Sequence, residues 1–166
     1  MGVIAKYKFN NTLEANLLPE FNSEFTSDLY TVTDEVNGNV TTRTIESDEL
    51  PTLMRFGRVW VSGESASDNR TDSLLEVLDI NTSELTSCHS MFRHCKNLTS
   101  INCEWDTSKV TDMYHMFYDC TNLSTLDVSN FNISKVTSMG GMFYHCYNLI
   151  SLDVSNFDTS NVTDMG

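Results

Sequence analysis

The sequence predicts an α+β repeat fold, a solenoid in which each unit of 25 or 26 residues contributes one strand and one short helix, after a β-rich N-terminal domain or cap. The main observation is a period. Met-Phe recurs at residues 91, 116 and 142, Asn-Leu at 97, 122 and 148, and cysteine at 95, 120 and 146. Before residue 74 there is no such period, only short β-prone runs separated by turn residues.

Residues 1–61 are predicted to form the β-rich domain or cap. Residues 3–9 alternate apolar and polar side chains, which indicates a strand, and a further strand is predicted over residues 53–61. Asn37-Gly38 lies between two β-prone runs and predicts a hairpin with a type I′ turn, in which both central residues have positive φ. Residues 62–73 are polar and aperiodic, and we expect them to link this part to the repeats at 74–166.

Each repeat contains two hydrophobic periods. In LSTLDVS, Leu126 and Val128 fall on one face of a strand. The stretch VTDMYHMFYDC has the spacing of a helical stripe, formed by Val110, Met113, Phe117 and Cys120. One unit cannot bury both faces, so neighbouring units are expected to stack around a shared core. The chain ends at TDMG inside a unit, and this incomplete repeat favours a fragment of a longer array over an open last repeat.

Composition and charge exclude several classes of partner. The chain has 166 residues, with 23 acidic and 10 basic side chains, a net charge of -13 and a pI near 4.4. Such a field repels the phosphates of nucleic acids and anionic lipids, so no nucleic-acid partner is predicted. The N-terminal stretch has no apolar run long enough for a signal peptide or a spanning helix, so we expect no membrane insertion.

Two stretches, NLSTLDVSNFNISKVTSMGGMFYHC and NLISLDVSNFDTSNVTDM, resemble the BspA-like leucine-rich repeat family of bacterial surface proteins, over about residues 74–166. The resemblance implies a leucine-rich-repeat-like solenoid and adhesion to host matrix, other cells or glycans, at an extracellular, cell-surface or particle-surface location. Similar arrays occur on phage tail proteins. Because no export signal or anchor is visible, a phage tail or particle-associated protein for receptor binding or structure is one alternative, and a repeat spacer without a ligand is another.

The candidate ligand-binding site is the outward face of the repeat strands, a flat polar grid suited to an extended ligand. It comprises Ser100, Asn102, Glu104, Thr125, Asp127, Ser129, Ser151, Asp153 and Ser155. An alternative aromatic patch on the helical side comprises Tyr114, Tyr118, Tyr144 and Tyr147. The predicted partner is a host or bacterial surface protein or glycan.

Catalysis is not predicted. Asp79, Asp127 and Asp153 share one outward position with Asn102. A ladder places such side chains about 4.8 Å apart, which suits calcium and approaches the carboxylate spacing of a retaining glycosidase. However, any ladder gives that spacing, and nothing in the sequence separates the pKa values of the carboxylates. We therefore predict a non-enzyme without cofactor or metal, with calcium binding as a lesser alternative.

The five cysteines are predicted to be small core residues. Cys95, Cys120 and Cys146 share one repeat position, and Cys88 and Cys103 stand where other repeats have methionine and valine. The odd number argues against a disulfide framework, and no pair has the short spacing of a zinc site. Disulfide and metal remain the alternatives. His94 and His145 precede a cysteine, but Asp119 fills that slot in the middle repeat, which argues against a Cys-His dyad.

Overall fold

The computed structural model describes residues 2–10, 19–21, 25, 27, 29–52, 54–56 and 73–166. These contain strands β1 (Gly2–Asn10), β2 (Glu20–Phe21), β3 (Tyr30–Asn37), β4 (Val40–Ser47), β5 (Met54–Arg55), β6 (Leu74–Ile80) and β7 (Ser100–Ile101). Within these ranges, no helix has the length and apolar character needed to cross a membrane.

Five strands form one open mixed sheet in the order β3-β4-β1-β6-β7, and β2 pairs with β5 in a separate two-stranded sheet. The neighbours β3/β4, β4/β1 and β1/β6 are antiparallel, and β6/β7 is parallel. The alternation in residues 3–9 correctly predicts β1, whose buried residues are Ile4, Ala5, Tyr7 and Phe9. Since β6 lies beside β1, the sheet runs from the N-terminal strands directly into the first repeat.

The predicted hairpin is present, with its turn one residue later than expected. Asn37 pairs with Val40, so Gly38 and Asn39 are the two central residues. Gly38 has φ 62° and Asn39 does not have a positive φ. Positive φ at a leading glycine alone is typical of a type II′ turn, so the type I′ prediction is wrong in its detail.

The predicted α+β solenoid with one helix per repeat is wrong. The described chain is almost entirely β, with one open five-stranded mixed sheet and no α-helix. The stretch predicted as helical, 110–120, consists of turns around one isolated bridge residue. Its apolar stripe of Val110, Met113, Phe117 and Cys120 is nevertheless completely buried.

Backbone hydrogen bonding explains why this stretch is not helical. The N–H groups of Met113, His115, Phe117 and Asp119 donate to carbonyls of the next repeat at 2.8–3.0 Å. Of the intervening N–H groups, those of Met116 and Tyr118 close four-residue turns, donating to the Met113 and His115 carbonyls at 3.1 and 3.2 Å. His115 and Asp119 also have positive φ, 55° and 60°, which a right-handed helix excludes. Alternate residues therefore bond along the repeat stack instead of to residue i−4.

Consecutive repeats are joined by parallel backbone contacts. Isolated parallel bridges link Ser87 to Asp112, Asp112 to Ser138, and Ser138 to Asp164. The predicted strand in LSTLDVS is reduced to one such bridge, between Ser100 and Thr125. Short parallel contacts thus replace extended strands in most of the repeat region.

A stack of phenylalanine rings runs through the core. Phe92, Phe117 and Phe143 occupy one repeat position, and adjacent ring centroids are 5.6 Å apart with nearly parallel planes. Phe56 continues the stack on Phe92 at 5.6 Å, and its N–H donates to the Met91 carbonyl. Phe56 therefore covers the first repeat. Of the strand predicted over 53–61, β5 and Phe56 lie in the described residues and the rest lies outside them, as does the predicted linker apart from residue 73.

Candidate functional site

The nine residues of the predicted strand face, called here the polar strand face, lie along the first part of each repeat. All are exposed except Ser100, which is half-buried in β7. A shallow groove of about 350 Å³ crosses this face beside Asn102, Thr125, Asp127 and Ser151. The side chains therefore form a solvent-facing surface with a modest depression.

The carboxylates of the polar strand face also shape its turns. Oδ1 of Asp127 accepts the N–H of Ser129 at 2.9 Å, and Oδ1 of Asp153 accepts that of Ser155 at 3.0 Å. Hydrogen bonding from the serine side chain and backbone lowers the pKa of each aspartate. The same arrangement recurs at Asn81, Asp106, Asn132 and Asp158. The recurrent Asx-x-Ser pattern thus encodes Asx turns.

The four predicted patch tyrosines lie together with all four histidines of the chain. This His–Tyr face consists of His89, His94, Tyr114, His115, Tyr118, Tyr144, His145 and Tyr147. A continuous path of ring contacts joins them, with centroid separations from 3.8 Å for Tyr114–His115 to 5.5 Å for His94–Tyr118. The outer members Tyr144 and Tyr147 are 52% and 73% exposed.

Carboxylates orient three of these histidines. Asp112 lies 3.1 Å from Nδ1 of His89. Asp119 lies 2.9 Å from Nδ1 of His94 and 3.7 Å from Nδ1 of His145, so one carboxylate serves histidines of the repeats before and after it. A carboxylate at Nδ1 fixes the plane of each ring.

The fourth histidine, His115, occupies a slot between repeats. Its ring centroid is 3.8 Å from Tyr114 and 4.4 Å from Tyr118, and its Nδ1 is buried without a hydrogen-bond partner. Burial comes first in lowering its pKa, followed by the nearby cation Arg93 and the imidazoles of His89 and His94; Asp164 opposes them. The face therefore favours the neutral form of His115.

Sequence reasoning did not assign the histidines to a site, because the residue before each repeated cysteine varies. A usable signal was available in the alignment of repeats. His94, Asp119 and His145 share one position, and in the structure that alternation produces the His-Asp-His contact. Alternation of imidazole and carboxylate in neighbouring repeats, rather than a repeated identical residue, is thus the pattern at this position.

The cysteines lie in the core or at its edge, and all five are free thiols. Sγ of Cys120 donates to the Phe92 carbonyl at 3.0 Å, and Sγ of Cys146 to the Phe117 carbonyl at 3.1 Å. Burial raises the pKa of Cys88 and of Cys103 to about 12, and that of Cys146 to about 11. In the part of the chain that the structure describes, no group of three or more His, Cys, Asp or Glu side chains is arranged to hold a metal ion.

The last repeat presents an apolar surface. A depression of about 600 Å³ is lined by core-type side chains including Met142, Phe143, Leu152 and Phe157. Val154 is 44% exposed, whereas Val128, one repeat earlier, is 2% exposed. Core positions are therefore buried where another repeat covers them and partly open in the last one.

The fold and surfaces define a β protein whose 25- to 26-residue repeats stack through parallel backbone contacts. The family model described as "Mycoplasma protein of unknown function, DUF285" matches residues 64–166, and the chain belongs to this family. No curated protein and no solved structure matches the chain.

Proposed function

We propose that this chain is a non-catalytic adhesion or receptor-binding module that recognises a protein or glycan surface through the His–Tyr face. The observation that carries the proposal is the concentration of all four histidines and four of the six tyrosines in one network of ring contacts. Tyrosine and arginine dominate the energetics of many interfaces, because a ring or guanidinium gives a large contact area with directed hydrogen bonds. Stacking pre-orders these rings, which lowers the entropic cost of binding.

The resemblance of the repeats to BspA-like surface proteins is more specific than the family match. It supports adhesion and an extracellular, cell-surface or particle-surface location. The family description names no ligand. A bacterial surface adhesin and a phage tail or particle-associated protein differ in the surface they would bind. A repeat spacer predicts no specific binding at all.

The polar strand face is a second candidate, favoured by its groove and its exposed row of hydrogen-bonding groups. Its aspartates are less free to adapt to a ligand, because Asx turns hold them in place. Substitutions can distinguish the contributions of the two faces to binding. Asn132 forms the same turn as Asp127, so an Asp127→Asn and Asp153→Asn double variant removes two charges while keeping the turns.

The test measures binding of the fluorescently labelled chain to intact bacterial cells and to immobilised host matrix proteins at physiological salt. We expect saturable binding that Tyr144→Ala and Tyr147→Ala together weaken at least tenfold, since truncation of an interface hot spot costs about 2 kcal/mol or more. Both side chains are largely exposed, so the double variant should fold normally. Circular dichroism and thermal melting provide that check.

The outcomes separate the hypotheses. Loss of binding in the Asp127→Asn and Asp153→Asn variant, with normal binding in the tyrosine variant, would move the site to the polar strand face. Binding to bacterial cells alone indicates phage-type receptor recognition, and binding to matrix proteins indicates host adhesion. Absence of saturable binding to both would contradict the recognition proposal and favour the spacer.

A further inference from the structure

Three buried polar atoms beneath the His–Tyr face have no hydrogen-bond partner: Oγ of Ser90, Nε of Arg93 and Nδ1 of His115. Ser90 and Arg93 belong to one turn, since the Arg93 N–H donates to the Ser90 carbonyl at 3.2 Å. His115 comes from the next repeat, where the Ser90 N–H donates to the carbonyl of the preceding residue, Tyr114, at 2.9 Å. Buried polar atoms are rarely left unpaired, so three in adjacent turns require an explanation.

All three atoms can donate a hydrogen bond. The Nε–H of a guanidinium only donates, and a serine hydroxyl rotates to suit its partner. An imidazole donates from Nδ1 in one neutral tautomer and in the protonated form. Three such donors in adjacent turns, one of them part of a guanidinium, match the needs of an oxyanion, whose oxygens only accept.

The charge on Arg93 is also uncompensated. Asp112 pairs with His89, and Asp119 pairs with His94 and with Lys96 at 3.8 Å. Among the described residues Arg93 forms no ion pair, and its guanidinium lies 5.3 Å from the ring centroid of Tyr118. In a chain of net charge -13, the unpaired guanidinium of the half-buried Arg93 is a specific place for an external anion.

We propose that Ser90, Arg93 and His115 form a subsite for an oxyanion, a carboxylate, sulfate or phosphate group carried by the ligand of the His–Tyr face. The biological role of the subsite rests on the recognition function proposed above, whereas anion binding itself does not. Burial and the nearby Arg93 lower the pKa of His115, and a bound anion would oppose the effect of the guanidinium. Anion binding and protonation of His115 should therefore strengthen each other.

The test uses the full 166-residue chain, titrated with sodium acetate, sulfate or phosphate at constant ionic strength, with chloride as the reference. The imidazole signals of His115 are followed by nuclear magnetic resonance at about pH 6.5, the ordinary pKa of histidine. We expect saturable shifts that Arg93→Gln weakens about tenfold or more, since a hydrogen bond to a charged group contributes at least about that factor. Ser90→Ala, which keeps a small buried side chain, should weaken binding less.

The matched control is Lys135→Gln, which removes the same charge from an exposed turn and should leave the titration unchanged. The anion that binds most tightly identifies the ligand group: acetate indicates a carboxylate, and sulfate or phosphate indicates a sulfate or phosphate ester. Shifts that match those in chloride, or that survive Arg93→Gln, would mean a buried water or an adventitious ion only and would overturn the proposal. Anion binding without adhesion to cells or matrix proteins would contradict the proposed recognition function but would still support the oxyanion subsite.

Discussion

The imidazole of His115 fills the space that a side chain on Gly141 would need. A Cβ placed on Gly141 would lie 2.5 Å from Cδ2 and 2.8 Å from Nε2 of that ring. Gly141 also has φ 59°, in the left-handed region. Ser90, His115 and Gly141 occupy the same position in successive repeats and share this backbone conformation. The small Gly141 therefore follows the large His115 at this position. The repeats differ here because a second large side chain would clash with the His115 ring.

Gly141→Ala should destabilise the chain by about 2–4 kcal/mol. About 1–2 kcal/mol comes from the left-handed conformation, and the rest from displacing the ring of His115. Chemical denaturation measures the change. Gly2→Ala is the control, because nothing lies within 4 Å of a Cβ at that position, and its effect should be neutral or slightly stabilising.

A double-mutant cycle separates the two causes. In a chain that already carries His115→Ala, the Gly141→Ala change should cost only the conformational part. Equal costs in both backgrounds would show that the ring and the glycine are not coupled.

Phe117→Ala should cost about 3–5 kcal/mol of unfolding free energy, the usual range for a buried aromatic residue. Phe117 is completely buried, stacked between Phe92 and Phe143, and edge-on to Trp105 at 6.4 Å. Phe143→Ala is the comparison, because that ring is only partly buried and should cost less. A loss under about 1 kcal/mol for Phe117 would be incompatible with a continuous aromatic stack.

The aspartates of the polar strand face should contribute to stability through their turns. Asp127→Ala removes the acceptor for the Ser129 N–H and should lower the melting temperature, whereas Asp127→Asn should preserve it. The lowered pKa of Asp127 and Asp153 means that this stability is complete above the ordinary aspartate pKa and is lost as pH falls through the native values. An acid titration monitored by circular dichroism tests whether stability falls with pH as expected. The Asp127→Asn variant should depend less on pH, because asparagine does not titrate.

The thiols should be protected in the native state. Burial raises the pKa of Cys88 and Cys103 to about 12 and that of Cys146 to about 11, so little reactive thiolate exists near neutral pH. Labelling with dithionitrobenzoate should be slow, with the half-buried Cys103 and Cys146 reacting before Cys88, Cys95 and Cys120. All five should react at once in denaturant. Rapid native labelling of Cys120, mapped by mass spectrometry, would contradict its place in the core.

Hydrophobic patterns in the sequence predicted the repeat period, the buried stripe and β1, because burial of apolar side chains depends directly on residue type. The helix prediction failed on the same residues. Val110, Met113, Phe117 and Cys120 are buried at helical spacing, but left-handed turns at His115 and Asp119 produce that spacing without a helix. Periodicity alone cannot distinguish the two when stacking between repeats supplies the backbone hydrogen bonds.

Surface features were less predictable than the core. The four patch tyrosines could be grouped from the sequence, since they share the non-core slots of the repeats. The effect of Arg93 on the pKa of His115, and the position of this ring against Gly141, depend on the approach of neighbouring repeats, which no local pattern encodes. The covering role of Phe56 was also hidden. Three residues separate Thr52 from Phe56, whereas five separate Thr111 from Phe117, although both pairs contact the following repeat in the same way.

Acidification should weaken the repeat stack through His115. Burial and the nearby Arg93, His89 and His94 lower its pKa, so the folded state disfavours the protonated ring. The stability associated with neutral His115 is therefore complete above the ordinary histidine pKa of about 6.5 and is lost as pH falls through the lower native value. Thermal melts across this range, in wild type and His115→Gln, measure the contribution, because glutamine cannot be protonated. If both proteins lose stability equally over this pH range, another titratable group causes the loss, and the surroundings of His115 do not favour its neutral form.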